Sequence, residues 1–164
     1  MIYFLGLGSN LGRRSANLAR ARRRLARADV AILRVSSVYE TEPVDYAGQA
    51  WFLNQVVEVR SGLDPSALLR LAKSIEAEMG RVPTVAKGPR TIDIDILLAE
   101  DMVVDAPELV LPHPRLHLRN FVLVPLAELA PEARHPVLGR TAAELLAASA
   151  DNSRVLKARS RRRR

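Results

Sequence analysis

Gly88-Pro89-Arg90-Thr91-Ile92-Asp93-Ile94-Asp95-Ile96-Leu97-Leu98 decides how this chain is read. From Ile92 to Ile96 apolar and acidic residues alternate, which is the period of a β-strand. Alternation sends Ile92, Ile94 and Ile96 to one face and Asp93 and Asp95 to the other. The two carboxylates then stand one pleat repeat apart, roughly 6.5–7 Å between Cα atoms, and repel unless a cation lies between them. All-oxygen ligands on one strand suit Mg2+, which takes one or two carboxylates and completes its shell with water and phosphate oxygens. Arg90 adds a guanidinium near the same end, and Pro89 stiffens the approach. An acidic pair with an arginine suits the charge that moves during phosphoryl transfer. A bare Asp-x-Asp is more often a solvated strand face. The Gly-Pro-Arg prefix, with no Lys, Asn or Ser on the acidic face, favours a site.

A chain of 164 residues, 48% hydrophobic, is expected to form one domain around one core, residues 1–150. No apolar run has the length of a membrane span. Met1 to Leu7 is apolar but has no basic region before it and no cleavage-like segment after it, so no signal peptide is expected. The absence of cysteine excludes disulfides, thiolate zinc sites and cysteine nucleophiles, and fits a cytoplasmic protein. The net charge of +7 is local: seven cations fall in residues 154–164, and without them 18 basic residues balance 18 acidic ones. Residues 151–164 therefore read as a basic, disordered tail, more a solvated end than a nucleic-acid arm.

Ile2 to Gly8 reads as a buried strand entering a turn at Ser9-Asn10-Leu11-Gly12, capped by Ser or Asn. The glycines do not make a dinucleotide fingerprint, because the third would have to stand where Leu11 is. Ser15–Ala28 is a helix with Leu18, Ala21, Leu25 and Ala28 on its apolar face and five arginines around the rest. Val30–Tyr39 is a second strand, followed by a polar loop over 40–49 long enough to bind a ligand. Phe52–Val59 is a third strand, with Phe52, Asn54, Val56 and Glu58 on one face. Phe52 beside Asn54 could hold a flat, hydrogen-bonding heterocycle or be ordinary core beside a strand-edge amide; the two readings are even.

Asp64-Pro65 opens a helix that runs to Met79 and stops at Gly80. Arg81 to Lys87 has no periodicity and is where a flexible catalytic loop would sit. Beyond the Asp-x-Asp strand come a short strand near Met102–Val104, a stiff segment over Leu109–Arg115, a helix over Phe121–Leu129 and a capping-box helix over Thr141–Ala148. The order strand–helix–strand–strand–helix–strand predicts an α+β, ferredoxin-like sandwich: a mainly antiparallel sheet with helices packed on it.

Gly8-Ser9-Asn10-Leu11, Phe52-Leu53-Asn54, Ile75-Glu76 with Gly80-Arg81, Gly88 to Asp95, Leu111-Pro112-His113-Pro114 and Arg119-Asn120-Phe121-Val122 occur in this order. Over roughly residues 2–150 the chain resembles the 6-hydroxymethyl-7,8-dihydropterin pyrophosphokinases of folate synthesis. The resemblance implies transfer of diphosphate from ATP to the hydroxymethyl group of 6-hydroxymethyl-7,8-dihydropterin, releasing AMP. It implies that Asp93 and Asp95 bind two Mg2+ ions, and that Arg81 and Arg90 clamp phosphates. It assigns the nucleotide to Lys73, Glu76, Lys87, Arg90, Ile96, His113 and Arg119. It assigns the pterin to Thr41, Glu42, Pro43, Val44, Phe52, Asn54 and Phe121, with the ring between Phe52 and Phe121. The expected partners are these two small molecules, with no specific nucleic acid or membrane, and the expected state is a monomer.

Several positions depart from the family pattern. Pro83 stands for a loop arginine, Lys87 for a tryptophan, Lys73 for a glutamine and Glu42 for a proline. Lys87 is read as a partial replacement for the lost loop cation. Two other functions compete: another Mg-dependent nucleotidyl or phosphoryl transferase on the same strand, and a ferredoxin-like RNA-binding module driven by the tail. An RNA platform needs exposed aromatics on its central strands, whereas this one would bear Asp93 and Asp95.

Overall fold

The computed structural model describes residues 1–44, 48–80 and 90–159. The expected catalytic loop, with Arg81 and Lys87, lies outside the described residues, as do Gly88 and Pro89. The strands are β1 (Ile2–Ser9), β2 (Val30–Val35), β3 (Tyr39–Thr41), β4 (Phe52–Ser61), β5 (Asp93–Ala99), β6 (Val104–Asp105), β7 (Val110–Leu111) and β8 (Val155–Lys157). The helices are α1 (Arg14–Arg27), α2 (Pro65–Glu78), α3 (Asn120–Leu129) and α4 (Ala142–Ala147). The main sheet runs β5-β1-β4-β3-β8, with β2 also pairing β4, and among the described residues its strand pairs are antiparallel. This is the expected α+β order, with one difference: the second strand is broken. Ser36 turns its backbone onto Val56 and its hydroxyl accepts from the Val56 N–H (2.9 Å), so β2 and β3 lie in succession along one edge of β4.

Strand alternation divides the molecule into two packed faces. Tyr3, Leu5 and Leu7 of β1, Leu53, Val57 and Val59 of β4, and Ile92, Ile94 and Ile96 meet Leu18, Ala21 and Leu25 of α1 and Leu68, Ala72 and Ile75 of α2. The opposite face packs Val56, Leu97 and Leu98 against Val122, Leu123 and Leu126 of α3 and Leu145 of α4. A bulge makes both packings possible. Phe4 pairs with Leu98 and Leu5 with Ile96, so Leu97 is the extra residue, and Leu97 and Leu98 both serve the α3 face.

Gly6 and Gly8 lie in β1 as expected, and of the three glycines here only Gly12 takes a positive φ (70°). Two local expectations change. Neither Ser9 nor Asn10 caps α1: the N-cap is Arg13, without a side-chain cap bond. Residues 151–159 are not a disordered tail; β8 pairs with β3, joining Thr41 to Val155 and Tyr39 to Lys157. No helix among the described residues is long and apolar enough to cross a membrane.

The caps of α2 and α4 follow the sequence. Asp64 accepts from the Ala67 N–H at 2.8 Å, with Pro65 at the first helical position. Thr141 and Glu144 form the reciprocal box. Asp64→Ala is expected to cost about 1 kcal/mol, lowering Tm by about 2–4 °C with the activity at 25 °C unchanged, as read by thermal denaturation and a rate assay.

Candidate active site

On the sheet face that carries α3, a cavity of about 150 Å3 opens beside the Asp-x-Asp strand. Its floor is made by strand pairing. Gly8 lies between Asp93 of β5 and Asn54 of β4, and Gly6 lies between Asp95 and Val56. Glycine is needed in this row: a Cβ on Gly8 would sit 2.6 Å from Asn54 Oδ1. That amide is not free to yield, because Asn54 Nδ2 donates to Thr41 Oγ1 at 2.7 Å. One wall is the stretch from Thr41 through Glu42 and Pro43 to Val44, with Gln49 and Phe52. The other wall is the start of α3, Phe121 and Val122, with Arg119 just before the helix. The Arg119 guanidinium lies 5.5 Å from the Phe121 ring centroid.

Arg90 enters from the strand end. Its Nε is 3.9 Å from Asp93 Oδ2, a loose ion pair. Its backbone is held firmly: Arg90 N–H donates to Asn10 Oδ1 (2.6 Å), and Asn10 N–H donates to the Arg90 carbonyl (3.0 Å). The same Asn10 amide donates to Gln49 Oε1 (2.8 Å) and to the Ala50 carbonyl (3.0 Å). One buried asparagine thus ties the Asp-x-Asp approach to the end of the polar loop.

Asp93 is half-buried and Asp95 exposed, both at one end of the cavity. Among the described residues no three or more His, Cys, Asp or Glu converge as a metal cage. Two carboxylates facing an open cavity fit Mg2+, which leaves most of its shell to water and phosphate oxygens.

His113 stands outside the cavity, against the strand edge: its N–H donates to the Leu97 carbonyl at 2.9 Å, and its Nδ1 accepts from Arg115 N–H at 3.2 Å. Burial, then the charges of Arg119 and Arg115, push its pKa down to about 4, so the imidazole is neutral at pH 7. Arg115 and Arg119 thus bring positive charge close to a neutral His113.

Of the residues expected in the site, Thr41, Glu42, Pro43, Val44, Phe52, Asn54, Arg90, Asp93, Asp95, Arg119 and Phe121 all line this one cavity. Lys73 and Glu76 do not: they stand on α2, on the other side of the sheet, with Glu76 buried. Ile96 points its side chain into the α2-side core. Sequence reasoning missed the floor glycines, the Asn10 tie and Leu97 of the lining. The glycines carried a readable signal, since Gly6 and Gly8 repeat with the same period of two as Asp93 and Asp95. The Asn10 bonds reach residues some 40 and 80 positions away and left no local trace.

The family model for 7,8-dihydro-6-hydroxymethylpterin-pyrophosphokinase (HPPK) matches residues 4–131. The 2-amino-4-hydroxy-6-hydroxymethyldihydropteridine pyrophosphokinase of Bacillus subtilis (strain 168) is 47% identical over 129 residues, covering 78% of this chain and 77% of its own. The enzyme of the same name from Methylorubrum extorquens is 45% identical over 145 residues, 88% of this chain and 90% of its own. The folic acid synthesis protein fol1 of Schizosaccharomyces pombe is 44% identical over 136 residues, and the match spans only 19% of that longer protein. Among solved structures, Plasmodium falciparum HPPK-DHPS A437G with SDX-DHP superposes with a TM-score of 0.72 at 20% identity, over 89% of this chain and 45% of that one, a likeness of fold. The family match over most of the chain, with two relatives above 40% identity matched over more than three quarters of their length, makes this protein a member of the 7,8-dihydro-6-hydroxymethylpterin-pyrophosphokinase family.

Proposed function

We propose that the protein transfers diphosphate from ATP to the hydroxymethyl group of 6-hydroxymethyl-7,8-dihydropterin, giving AMP and the pterin diphosphate, a step of tetrahydrofolate synthesis. The observation that carries this reading is the row Asp93–Gly8–Asn54, which joins an acidic end and an amide-and-aromatic end within one cavity. Phe52 and Phe121 offer the pterin apolar ring surface, and Asn54, held by Thr41, reads its hydrogen-bonding edge. Asp93 and Asp95 hold Mg2+, two ions in this reading. Bound there, the metal neutralises charge on the phosphate oxygens around the reacting centre. Arg90 and Arg119 face the same space and draw the polyphosphate in, with Arg115 and His113 behind. Lys73, Glu76 and the backbone at Ile96 serve the rest of the nucleotide, and Arg81 and Lys87 its phosphates.

The chemistry is one displacement. The pterin hydroxyl oxygen attacks the β-phosphorus and loses its proton to solvent as the new P–O bond forms. The bond from that phosphorus to the bridging oxygen of AMP breaks, and AMP leaves with the electron pair. Binding both substrates in one cavity supplies the alignment. The protein acts in this reading as a cytoplasmic monomer on small molecules, without specific nucleic acid.

Incubation with ATP, Mg2+ and the hydroxymethyl dihydropterin is expected to give AMP and pterin diphosphate in equal amounts. ADP, or release of free diphosphate, would point to another phosphoryl or nucleotidyl transferase. Asp95→Ala should lower kcat by about 10²–10³-fold with the fold intact by circular dichroism, the scale on which a lost charge-stabilising group acts.

Gly8→Ala should displace Asn54 from Thr41. The expected result is a KM for the pterin raised about tenfold, about 1.4 kcal/mol, with the KM for ATP nearly unchanged.

His113 gives the pH dependence. Its folded pKa of about 4 lies below the ordinary 6.5, so the unfolded chain takes up the proton first as pH falls. Its contribution to stability is complete above about pH 6.5 and is lost as pH falls toward 4. Nucleotide binding should offset the Arg115 and Arg119 charges and raise this pKa, followed as the imidazole shift in an NMR titration with and without ATP.

A further inference from the structure

We propose that residues 151–157, next to the basic C-terminus, are a working part of the acceptor site: they hold both of its walls in place and so set its affinity for the flat acceptor. This rests on the pterin reading of the cavity.

On the α3 side, Asp151 Oδ2 accepts from the Asn120 N–H at 2.8 Å, and Asn120 Nδ2 donates to the Asp151 carbonyl at 2.9 Å. A carboxylate on the first N–H of α3 also complements the helix dipole. Asp151 is itself locked, its Oδ1 accepting from the N–H (2.9 Å) and hydroxyl (2.5 Å) of Ser153. The residue after Asn120 is Phe121, so the bond that starts α3 also sets where this ring emerges.

On the opposite side, Arg154 and Glu42 make a reciprocal pair. Arg154 N–H donates to Glu42 Oε1 (2.7 Å), and Glu42 N–H donates to the Arg154 carbonyl (3.1 Å). The Arg154 guanidinium lies 5.2 Å from the centroid of the Trp51 ring, the residue before Phe52. Arg14 Nη1 holds the carbonyl of the same Trp51 at 2.9 Å. Val155 then continues into β8, opposite Thr41. Within four residues the chain thus grips the positions beside Phe121 and beside Phe52.

Glu42 meets the backbone of Arg154, and a proline at position 42 could offer neither the N–H nor the carboxylate these two bonds use. Walls fixed before the acceptor arrives need not be ordered at its expense. Loosening the grip should therefore weaken acceptor binding and leave the nucleotide, held from β5 and the Arg115–Arg119 segment, untouched.

The test compares Arg154→Ala, Arg154→Lys and Asp151→Ala, with Phe121→Ala in parallel. Calorimetry measures the dihydropterin in the presence of a non-hydrolysable ATP analogue, and the analogue alone. Trp51, the single tryptophan and the residue before Phe52, gives an independent fluorescence signal under the Arg154 guanidinium. Arg154→Ala and Asp151→Ala should each weaken the dihydropterin about fivefold, equivalent to about 1 kcal/mol. In the Arg154 variants analogue affinity should stay within about twofold, and Arg154→Lys, which keeps a cation over the ring, should recover most of the loss. Unchanged dihydropterin affinity in both variants, with Phe121→Ala still impaired, overturns the grip and spares the pterin reading. Affinities for both ligands falling together with Tm overturn it as well, since that marks general loosening. A Phe121→Ala protein that binds the dihydropterin normally brings down the pterin reading and the proposal with it.

Discussion

The close approach of β1 to both neighbours at Gly8 is the constraint on which the site depends. Strand pairing sets Asp93 on one side of it and Asn54 on the other. Any side chain at this position would strike Asn54 Oδ1. Two chemically unlike groups, an acid that suits a metal and an amide that suits a heterocycle, therefore stand in one row with open space above the residue between them. A sheet provides this more rigidly than loops would, because backbone hydrogen bonds fix the spacing.

Electrostatics divides the site by function. Asp93 and Asp95 concentrate negative charge on β5, while Arg90 and Arg119 line the same cavity. Arg90 Nε lies 3.9 Å from Asp93 Oδ2, a loose contact. Acids and guanidinium groups set side by side suit a polyphosphate that arrives with its own cations. Burial keeps His113 neutral, so it offers hydrogen bonds without adding to the repulsion among the arginines.

The rest of the fold brings distant segments to this row. Asn10 holds the approach to Asp93 against the end of the polar loop. Glu128, near the far end of α3, accepts from the Tyr39 hydroxyl and faces Lys157 at 3.7 Å, which ties the helix to the two outer strands. The Tyr39 hydroxyl, pushed up to about 12 by burial and then by Glu128, stays protonated and keeps donating. With Asp151 at its start, α3 is fastened at both ends by the C-terminal segment or its neighbours.

What the sequence determined by itself was whatever rests on local periodicity and on short motifs. The Ile/Asp alternation foretold which face of β5 carries the acids, Asp64-Pro65 foretold the start of α2, and Thr141 with Glu144 foretold the last helix. These signals act within a few residues, where backbone geometry alone decides the outcome. Tertiary structure decided what local pattern cannot express. The break at Ser36, the bulge at Leu97, the place of Gly6 and Gly8 in a strand floor, and the ordering of Val155–Lys157 each depend on a partner far along the chain. A segment as basic as 151–164 reads as solvated because composition reports how much apolar surface it can bury, not whether an open strand edge and an unpaired helix end are waiting for its backbone and its Asp151.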